Sequence, residues 1–199
     1  MYIICSDLEG VFVPEVWINV AKKTGIDELK LTTRDIQDYD VLMKQRLKIL
    51  AERGLKLKDI TDVIATIEPL EGANEFLAWI KTRTQLIIVS DTFAQFADPL
   101  MKQLNRPTIF CHELVIGEDD SVVDYKLRQK DPKRKVVEAL QSLEYKVIAF
   151  GDSYNDISML KKADIGILYC PPDNVIADYP ELPVVRNYNE LREILLEYI

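Results

Sequence analysis

The sequence predicts an α/β fold in which a doubly wound, mostly parallel sheet carries an inserted helical cap. After residue 72, short apolar runs alternate with segments of helical spacing, which is typical of strands alternating with helices. The block 12–72 shows helical spacing and interrupts this alternation directly after the first apolar run. Polar clusters follow three of the apolar runs, as expected where strands end in such a sheet.

The strand predictions depend on short apolar runs bounded by polar or turn residues. They cover residues 2–6, 85–89, 108–111, 113–116, 122–126, 146–150, 165–168 and 184–185. Residues 117–121 lie between two of them and predict a hairpin. Helices are predicted at 14–24, twice within 32–65 with a break at Gly54, and at 73–83, about 94–104, 132–143, 155–162 and 188–198. The alternation is Rossmann-like, with a core of residues 1–11 and 73–199 and a wholly helical cap of residues 12–72.

Composition limits the classes of function. The chain has 199 residues, 48% of them hydrophobic, which suits one medium domain or a core with a smaller lid. Its formal net charge is −8, so no basic stripe is available to bind the phosphates of a nucleic acid. A small phosphorylated substrate remains compatible, because one metal ion and a few basic groups can neutralise it.

The cysteines and the N-terminus indicate a cytoplasmic protein. Three widely spaced cysteines form no CxxC pair, so neither a zinc site nor a disulfide framework is expected. The N-terminus lacks the pattern of a signal peptide, and no apolar run is long enough to cross a membrane. The oligomeric state is left open, with a homodimer among the alternatives.

Asp7 and Glu9 follow the first predicted strand. Side chains two residues apart in an extended segment point the same way, so both carboxyl groups could face one crevice. An ionised carboxylate can attack phosphorus without a base, and a second carboxyl group could protonate the leaving group and later activate water. The alternative is that the two acids merely end a strand.

Residues 151–156 form a second polar cluster, with Asp152 and Asp156 one helical turn apart. Magnesium prefers a few carboxylate oxygens together with phosphate and water, and Asp7 and Asp152 could supply the carboxylates. The alternative is an N-cap followed by an acid that complements the helix dipole.

A hydroxyl and a basic cluster complete the candidates for binding a phosphoryl group. Ser90 follows the strand predicted at 85–89, and its hydroxyl could donate to a phosphoryl oxygen or simply cap the next helix. One lysine among Lys130, Lys133 and Lys135 could neutralise the transferring group, although most lysines in such a run are only solvated.

Together these clusters resemble the haloacid dehalogenase superfamily of aspartyl phosphotransferases. DLEGV, Ser90 in VSDT, Lys133 in KRKVVEAL and GDSYNDISML stand in the order of the four motifs of that family. The segments DLEGVFVPE, YDVLMKQR, VSDTF and RQKDPKRK are most similar to its phosphoserine phosphatase branch. Within that branch they are closest to bifunctional enzymes that transfer the phosphoryl group of O-phosphoserine to water or to homoserine.

The resemblance implies a role for each matched residue. Asp7 would be the nucleophile and Glu9 the acid/base. Asp7, the backbone carbonyl of Glu9 and Asp152 would hold Mg²⁺. The residues implied to bind substrate are Glu15, Arg46, Ser90, Asp91, Lys133 and Asn155. Of these, Glu15 would contact the substrate ammonium and Arg46 its carboxylate.

Arg46 also stands out without the resemblance, because a guanidinium on an apolar helical stripe is costly unless it is paired. An internal salt bridge to Asp38 or Asp40 is the alternative to a substrate carboxylate. Glu15 could equally be a favourable acid in a first helical turn. His112, the only histidine, is interpreted as structural.

Two residues depart from the general pattern of the superfamily. Glu9 stands where most of its phosphatases have Asp, which moves the carboxyl group by roughly 1.5 Å. Asp91 stands where ordinary phosphoserine phosphatases have Gly. Both changes match the bifunctional branch. Two other functions stay open: the same chemistry on another small phosphomonoester, and a non-catalytic phospho-accepting signalling domain. A signalling domain would need neither the cap nor Glu9.

Overall fold

The computed structural model describes residues 1–32, 35–36 and 38–199. Its centre is a seven-stranded sheet in the order β4-β3-β2-β1-β5-β6-β7. The paired strands run parallel, except that β3 and β4 form an antiparallel hairpin. The strands are β1 (Tyr2–Ser6), β2 (Leu86–Phe93), β3 (Thr108–Ile116), β4 (Val122–Lys126), β5 (Lys146–Gly151), β6 (Ile165–Tyr169) and β7 (Val184–Val185). The predicted α/β class and mostly parallel sheet are confirmed.

Helices cover the sheet and connect its strands. They are α1 (Val16–Thr24), α2 (Tyr39–Arg53), α3 (Leu57–Ile64), α4 (Ala73–Lys81), α5 (Ala94–Gln103), α6 (Pro132–Ser142), α7 (Ile157–Lys162), α8 (Asp173–Asp178) and α9 (Tyr188–Leu195). Short 3₁₀ helices lie at Asp27–Lys30 and Tyr154–Asp156. Gly25 and Gly54 end α1 and α2 in the left-handed conformation, which explains why glycine occupies both positions.

Several predicted boundaries are wrong. The strand predicted at 85–89 continues to Phe93, and the two short strands at 108–116 form the single strand β3. Helix α8 has no counterpart among the predicted helices. The helical segment predicted from residue 32 begins at Tyr39 in the structure, and residues 33, 34 and 37 lie outside the described residues.

The prediction that residues 12–72 are wholly helical is also wrong at two points. The chain turns back directly after β1, where the amide of Gly10 donates to the carbonyl oxygen of Val13 at 2.8 Å. Gly10 has a φ of 73°, which glycine adopts without strain. Further along, Lys56 forms a β-bridge with Ser121 of the hairpin loop. Hydrogen bonds to neighbouring segments therefore replace helical ones at these positions.

One apolar cluster joins the sheet to the inserted helices. Ile4 and Ile88 of the central strands belong to the same buried cluster as Met43, Leu50 and Ile60 of α2 and α3. This shared core holds α1–α3 above the carboxyl ends of the strands, where β1, β2 and β5 end side by side. Among the described residues, no helix is both long and apolar enough to span a bilayer.

Candidate active site

Asp7 lies directly after β1, the strand between β2 and β5. Its amide donates to the carbonyl oxygen of Phe150 at 3.0 Å, which continues the β1–β5 pairing beyond the strand. Its Oδ1 accepts the amide of Leu8 at 2.8 Å and lies 2.9 Å from Nζ of Lys133. The side chain is buried, and burial together with the charge of Asp156 raises the pKa of Asp7 well above its usual range. The site thus holds this carboxylate in a fixed orientation.

Lys133 lies in the first turn of α6 and connects three acids. Its Nζ lies 2.6 Å from Oδ1 of Asp156, 2.9 Å from Oδ1 of Asp7 and 3.7 Å from Oδ2 of Asp91. Burial alone would lower the pKa of Lys133, but the surrounding carboxylates raise it well above its usual value. The lysine therefore carries a buried positive charge beside Asp7.

Asp156 organises the loop that follows β5. Its Oδ2 accepts the amides of Asp152 and Ser153 at 3.0 and 3.1 Å, while its Oδ1 binds Lys133. A Cβ on Gly151 would lie 2.5 Å from the Asp156 carboxylate, so glycine is required there. Asp156 is an acid in the first turn of the 3₁₀ helix and part of its capping box, as the alternative interpretation predicts, but the N-cap is Ser153 and not Asp152. Asp152, in contrast, lines the cavity described below.

The donor set beside Asp7 suits a small hard cation. Asp7, Asp152 and Asp156 each offer a carboxylate oxygen, and these oxygens lie within 4.8 Å of one another. Both oxygens of Asp156 already accept hydrogen bonds, whereas Asp7 and Asp152 line the cavity in which a cation could lie. Burial, Asp156 and Glu15 raise the pKa of Asp152 to about 7, so its ionisation is costly without a cation. A Cβ on Gly10 would lie 2.6 Å from Cγ of Asp152, so only glycine leaves room for that carboxylate.

Glu9 faces the cavity from the turn after β1. Its Oε2 accepts the amide of Val16 at 2.8 Å and so binds the N-terminus of α1. Burial and the neighbouring Glu15 raise the pKa of Glu9 to about 7. A carboxyl group with that pKa can both donate and accept a proton near neutral pH.

Arg46 projects from α2 into the same cavity and is almost completely buried. Its guanidinium donates to the carbonyl oxygen of Leu31 at 2.8 Å, and its Cζ lies 4.5 Å from the ring centroid of Trp17. Within the described part of the chain, its Nε has no hydrogen-bond partner. Burial lowers the pKa of Arg46 to about 10, and Glu9 and Glu15 oppose that shift only in part.

The salt bridge considered for Arg46 does not form. Asp38 caps α2 through the amides of Asp40 and Val41, and Asp40 binds Lys44 and Tyr125. Among the described residues, no carboxylate forms an ion pair with Arg46. Glu15 occupies the N-cap position of α1 without a capping bond from its side chain, so it is not a first-turn acid.

Ser90 and Asp91 lie within β2. The strand predicted from the sequence ends at residue 89, so the prediction that both residues follow the strand is wrong. Oγ of Ser90 accepts the amide of Thr92 at 3.2 Å, so Ser90 does not cap the next helix. Oδ2 of Asp91 accepts Nδ2 of Asn155 at 2.9 Å, and the Asp91 carbonyl oxygen accepts the Tyr39 hydroxyl at 2.9 Å. The strand continues because β2 and β3 resume pairing at Phe93 and His112 after an irregularity in register.

One cavity of about 90 Å³ brings most of these side chains together. Its lining includes the predicted site residues Asp7, Glu9, Glu15, Arg46, Ser90, Asp91, Asp152 and Asn155. Lys133 borders it through Asp7 and opens onto a neighbouring groove of about 950 Å³. Trp17 also forms a wall of this cavity, although no sequence motif marks it. His112, interpreted from the sequence as structural only, lies 3.5 Å from Asp91.

Comparison with known proteins agrees with this architecture. A family model described as haloacid dehalogenase-like hydrolase matches residues 7–164. The chain is 60% identical over 197 residues to "Phosphoserine phosphatase ThrH" of Pseudomonas aeruginosa, covering 99% of this chain and 96% of that one. It is also 60% identical to a phosphoserine phosphatase of Pseudomonas syringae pv. tomato, covering 96% of this chain and 81% of the relative.

A solved structure supports the fold independently. An apo phosphoserine phosphatase superposes with a TM-score of 0.77 at 24% identity, covering 99% of this chain and 98% of the other. At that identity the likeness establishes the fold alone. The family model and the two relatives with 60% identity establish more: the chain belongs to the haloacid dehalogenase-like hydrolases, in the branch that contains these phosphoserine phosphatases.

Proposed function

We propose that the protein is a magnesium-dependent phosphotransferase that takes the phosphoryl group of O-phospho-L-serine onto Asp7 and passes it to water or to homoserine. One observation carries the proposal: a single cavity brings together Glu9 with a pKa of about 7, the carboxylate of Asp7 beside the buried Lys133, and Arg46, which forms no ion pair with a carboxylate of the described residues. The relatives with 60% identity, named as phosphoserine phosphatases, support the choice of substrate.

In the first half-reaction an oxygen of Asp7 attacks phosphorus, and the bond from phosphorus to the serine oxygen breaks. Oδ1 is held by Leu8 and Lys133, which orients the carboxylate for attack. Protonated Glu9 gives its proton to the leaving alkoxide, so that serine departs neutral at that oxygen. Lys133, Ser90 and Asn155 would bind the phosphoryl oxygens, and the charge of Lys133 would offset the charge of the transferring group.

In the second half-reaction Glu9, now ionised, takes the proton of water or of the homoserine hydroxyl. The oxygen of that acceptor attacks phosphorus, and the bond from phosphorus to Asp7 breaks. The products are inorganic phosphate or phosphohomoserine, and Glu9 is again protonated. A pKa of about 7 suits both directions of proton transfer at neutral pH.

Asp7, Asp152 and the backbone carbonyl of Glu9 would hold Mg²⁺ in this scheme. When bound, the ion supplies positive charge next to the phosphoryl oxygens. The raised pKa values of Asp7 and Asp152 support this assignment, because a cation offsets the cost of keeping both acids ionised.

The helices α1–α3 would act as the cap that selects the amino acid. Within the proposed cap of residues 12–72, Arg46 would bind the substrate carboxylate and Glu15 its ammonium, because both side chains line the cavity. This role is supported by Nε of Arg46, which none of the residues that the structure describes binds. The core would then be residues 1–11 and 73–199, and we propose a cytoplasmic enzyme.

Phosphorus NMR provides the decisive experiment. The full chain is incubated with O-phosphoserine and Mg²⁺, with and without homoserine, and with an Asp7→Asn protein as control. We expect inorganic phosphate in both wild-type samples, a phosphohomoserine resonance only with homoserine, and neither product in the control. Absence of both products would reject the proposed substrate.

A panel of phosphomonoesters separates this proposal from the same chemistry on another substrate, because O-phosphoserine must then have the highest kcat/KM. A stable phosphoryl group on Asp7 without turnover would instead indicate a signalling domain. Removal of metal with EDTA should abolish turnover, and added Mg²⁺ should restore it.

A further inference from the structure

His112 is a buried side chain of β3 that the proposed mechanism does not use. Its ring lies between those of Phe93 and Tyr39, with centroids 6.3 and 6.4 Å away. Its Nδ1 accepts the amide of Arg128 at 3.1 Å. A nitrogen that accepts a hydrogen bond carries no proton, so the ring is the neutral tautomer with its proton on Nε2.

The Nε2 side of the ring lies next to Asp91. Nε2 of His112 lies 3.5 Å from Oδ1 of Asp91, at the outer limit of hydrogen bonding. The other oxygen of Asp91 accepts Nδ2 of Asn155 at 2.9 Å and lies 3.7 Å from Nζ of Lys133. Asp91 thus stands between His112 and two groups that we assign to phosphoryl binding.

Both polar atoms of the Asn155 side-chain amide form hydrogen bonds with neighbouring side chains. Its Nδ2 donates to Asp91, and its Oδ1 accepts the hydroxyl of Ser153. Only one of the two Nδ2 hydrogens is used by Asp91, so the second is available to a phosphoryl oxygen in the cavity. The orientation of that donor therefore depends on where the Asp91 carboxylate sits.

We propose that His112 is a positioning residue that holds the Asp91 carboxylate on the sheet side of the cavity, so that Asp91 orients Asn155 and Lys133 towards the phosphoryl group. This inference rests on the proposed phosphoryl transfer but not on phosphoserine as the substrate. Nothing in the sequence motifs assigns a role to His112.

The physical reason lies in the charge of Asp91. Its side chain is 27% exposed and lines both the cavity and the neighbouring groove, so it has room to turn. Turned inwards, the carboxylate would repel a dianionic phosphoryl group and draw Lys133 away from Asp7. Although burial opposes it, Lys133 and His112 hold the pKa of Asp91 well below its usual range. The carboxylate is therefore ionised, and its direction matters.

A matched pair of variants separates positioning from packing. His112→Gln keeps an amide donor at the place of Nε2, whereas His112→Asn keeps an acceptor near the place of Nδ1 but no donor towards Asp91. His112→Phe keeps the ring and removes both polar atoms. The substrates are O-phosphoserine and an aryl phosphate, and the inhibition constant of inorganic phosphate is measured in parallel with thermal stability.

We expect His112→Asn and His112→Phe to raise KM for both substrates and the inhibition constant of phosphate by the same factor, about tenfold. His112→Gln should restore most of the affinity. Asp91→Asn should weaken phosphate binding in a similar way, and the double variant Asp91→Asn/His112→Asn should add little to either change.

Three results would overturn the inference. The first is phosphate affinity in the Asn and Phe variants within twofold of wild type. The second is equal loss in the Gln, Asn and Phe variants, which would mean that His112 only packs. The third is additive effects of Asp91→Asn and His112→Asn. If the Phe variant does not fold, comparison of the Gln and Asn variants still distinguishes positioning of Asp91 from packing. Since the aryl phosphate and phosphate arms do not involve serine, failure of the proposed substrate would be recognised separately.

Discussion

The two sides of the cavity differ in how completely their polar groups are paired. On the sheet side, Lys133 contacts two acids within 3 Å, and each oxygen of Asp156 accepts a hydrogen bond from a neighbour. On the side of the inserted helices, Arg46 contacts one backbone carbonyl, the sulfur of Met43 and an aromatic ring, and its Nε has no hydrogen-bond partner among the described residues. Unpaired buried polar groups are costly, so their persistence is informative.

The difference indicates which part of the site is complete before substrate arrives. The phosphoryl side is preorganised, because its charges already hold one another in place. On the proposed amino-acid side, no carboxylate of the described residues forms an ion pair with Arg46, and a substrate carboxylate would supply one. Variants on the sheet side should therefore impair the chemistry on every substrate, whereas variants on the helical side should impair selection.

Asp7→Asn should have the largest effect, because it removes the nucleophile while keeping shape and most hydrogen bonds. We expect kcat to fall by at least about 10⁴-fold on O-phosphoserine and on an aryl phosphate alike. Initial rates with both substrates test this, with thermal melting as the control for folding. Activity above about 1% of wild type, in protein checked by mass for deamidation, would argue against Asp7 as the nucleophile.

Glu9→Gln should lower kcat by about 10²–10⁴-fold, because an amide can accept from Val16 but cannot transfer a proton. The wild-type rate should be bell-shaped. Glu9 must be protonated in the first step, which is favoured below its pKa of about 7, and ionised in the second, which is favoured above it. A bound cation would lower that pKa. Rates measured from pH 5 to 9 test this prediction, and the variant should no longer show the bell-shaped dependence on pH. A variant that keeps the bell shape would mean that a group other than Glu9 transfers the proton.

Arg46→Ala should lower kcat/KM for O-phosphoserine by about 10²-fold and leave an aryl phosphate within about threefold. The reason is that only the amino-acid substrate carries a carboxylate. Arg53→Ala is the matched control, since Arg53 lies on the same helix with its side chain 58% exposed. Equal losses on both substrates would mean that Arg46 serves the fold rather than recognition.

Asp152→Asn should have the smallest effect, a change in the stability of the metal-free protein that depends on pH. The pKa of Asp152 is higher in the folded state than in the unfolded chain, so the folded state binds the proton more tightly. Stability of the metal-free protein should therefore fall as pH rises from about 4 to about 7, and the variant should reduce that fall. At pH 8 the melting temperature of the variant should exceed that of the wild type. The expected difference is about 2–4 °C for each kcal/mol by which the substitution raises the free energy of unfolding.

The same variant should lose the increase in melting temperature that Mg²⁺ gives the wild type. Asp173→Asn is the control, because the Asp173 side chain is fully exposed and does not line the cavity. Full stabilisation of Asp152→Asn by Mg²⁺ would exclude Asp152 as a ligand.

Much of the fold could be predicted locally. The strand at 184–185 matches β7, and the strand at 146–150 ends one residue short of β5, because apolar runs bounded by polar residues depend only on neighbours in sequence. The prediction failed for Ser90 and Asp91, which are polar and yet continue β2. Their strand pairing depends on β3, a partner that local patterns do not reveal.

The candidate site also combines features that local sequence patterns predict with features that depend on contacts between distant residues. The sequence by itself determined the order of chemical groups: an acid pair after the first strand, a hydroxyl after the second run, then a lysine and an acidic turn. Those positions follow from strand ends, which local apolar patterns mark. Only the tertiary structure decided that Asp156 binds Lys133, and that no carboxylate in the described part of the chain forms an ion pair with Arg46. It also decided that His112 of β3 faces Asp91 of β2. These contacts join residues that are distant in sequence, and only the folded sheet brings their charges within hydrogen-bonding distance.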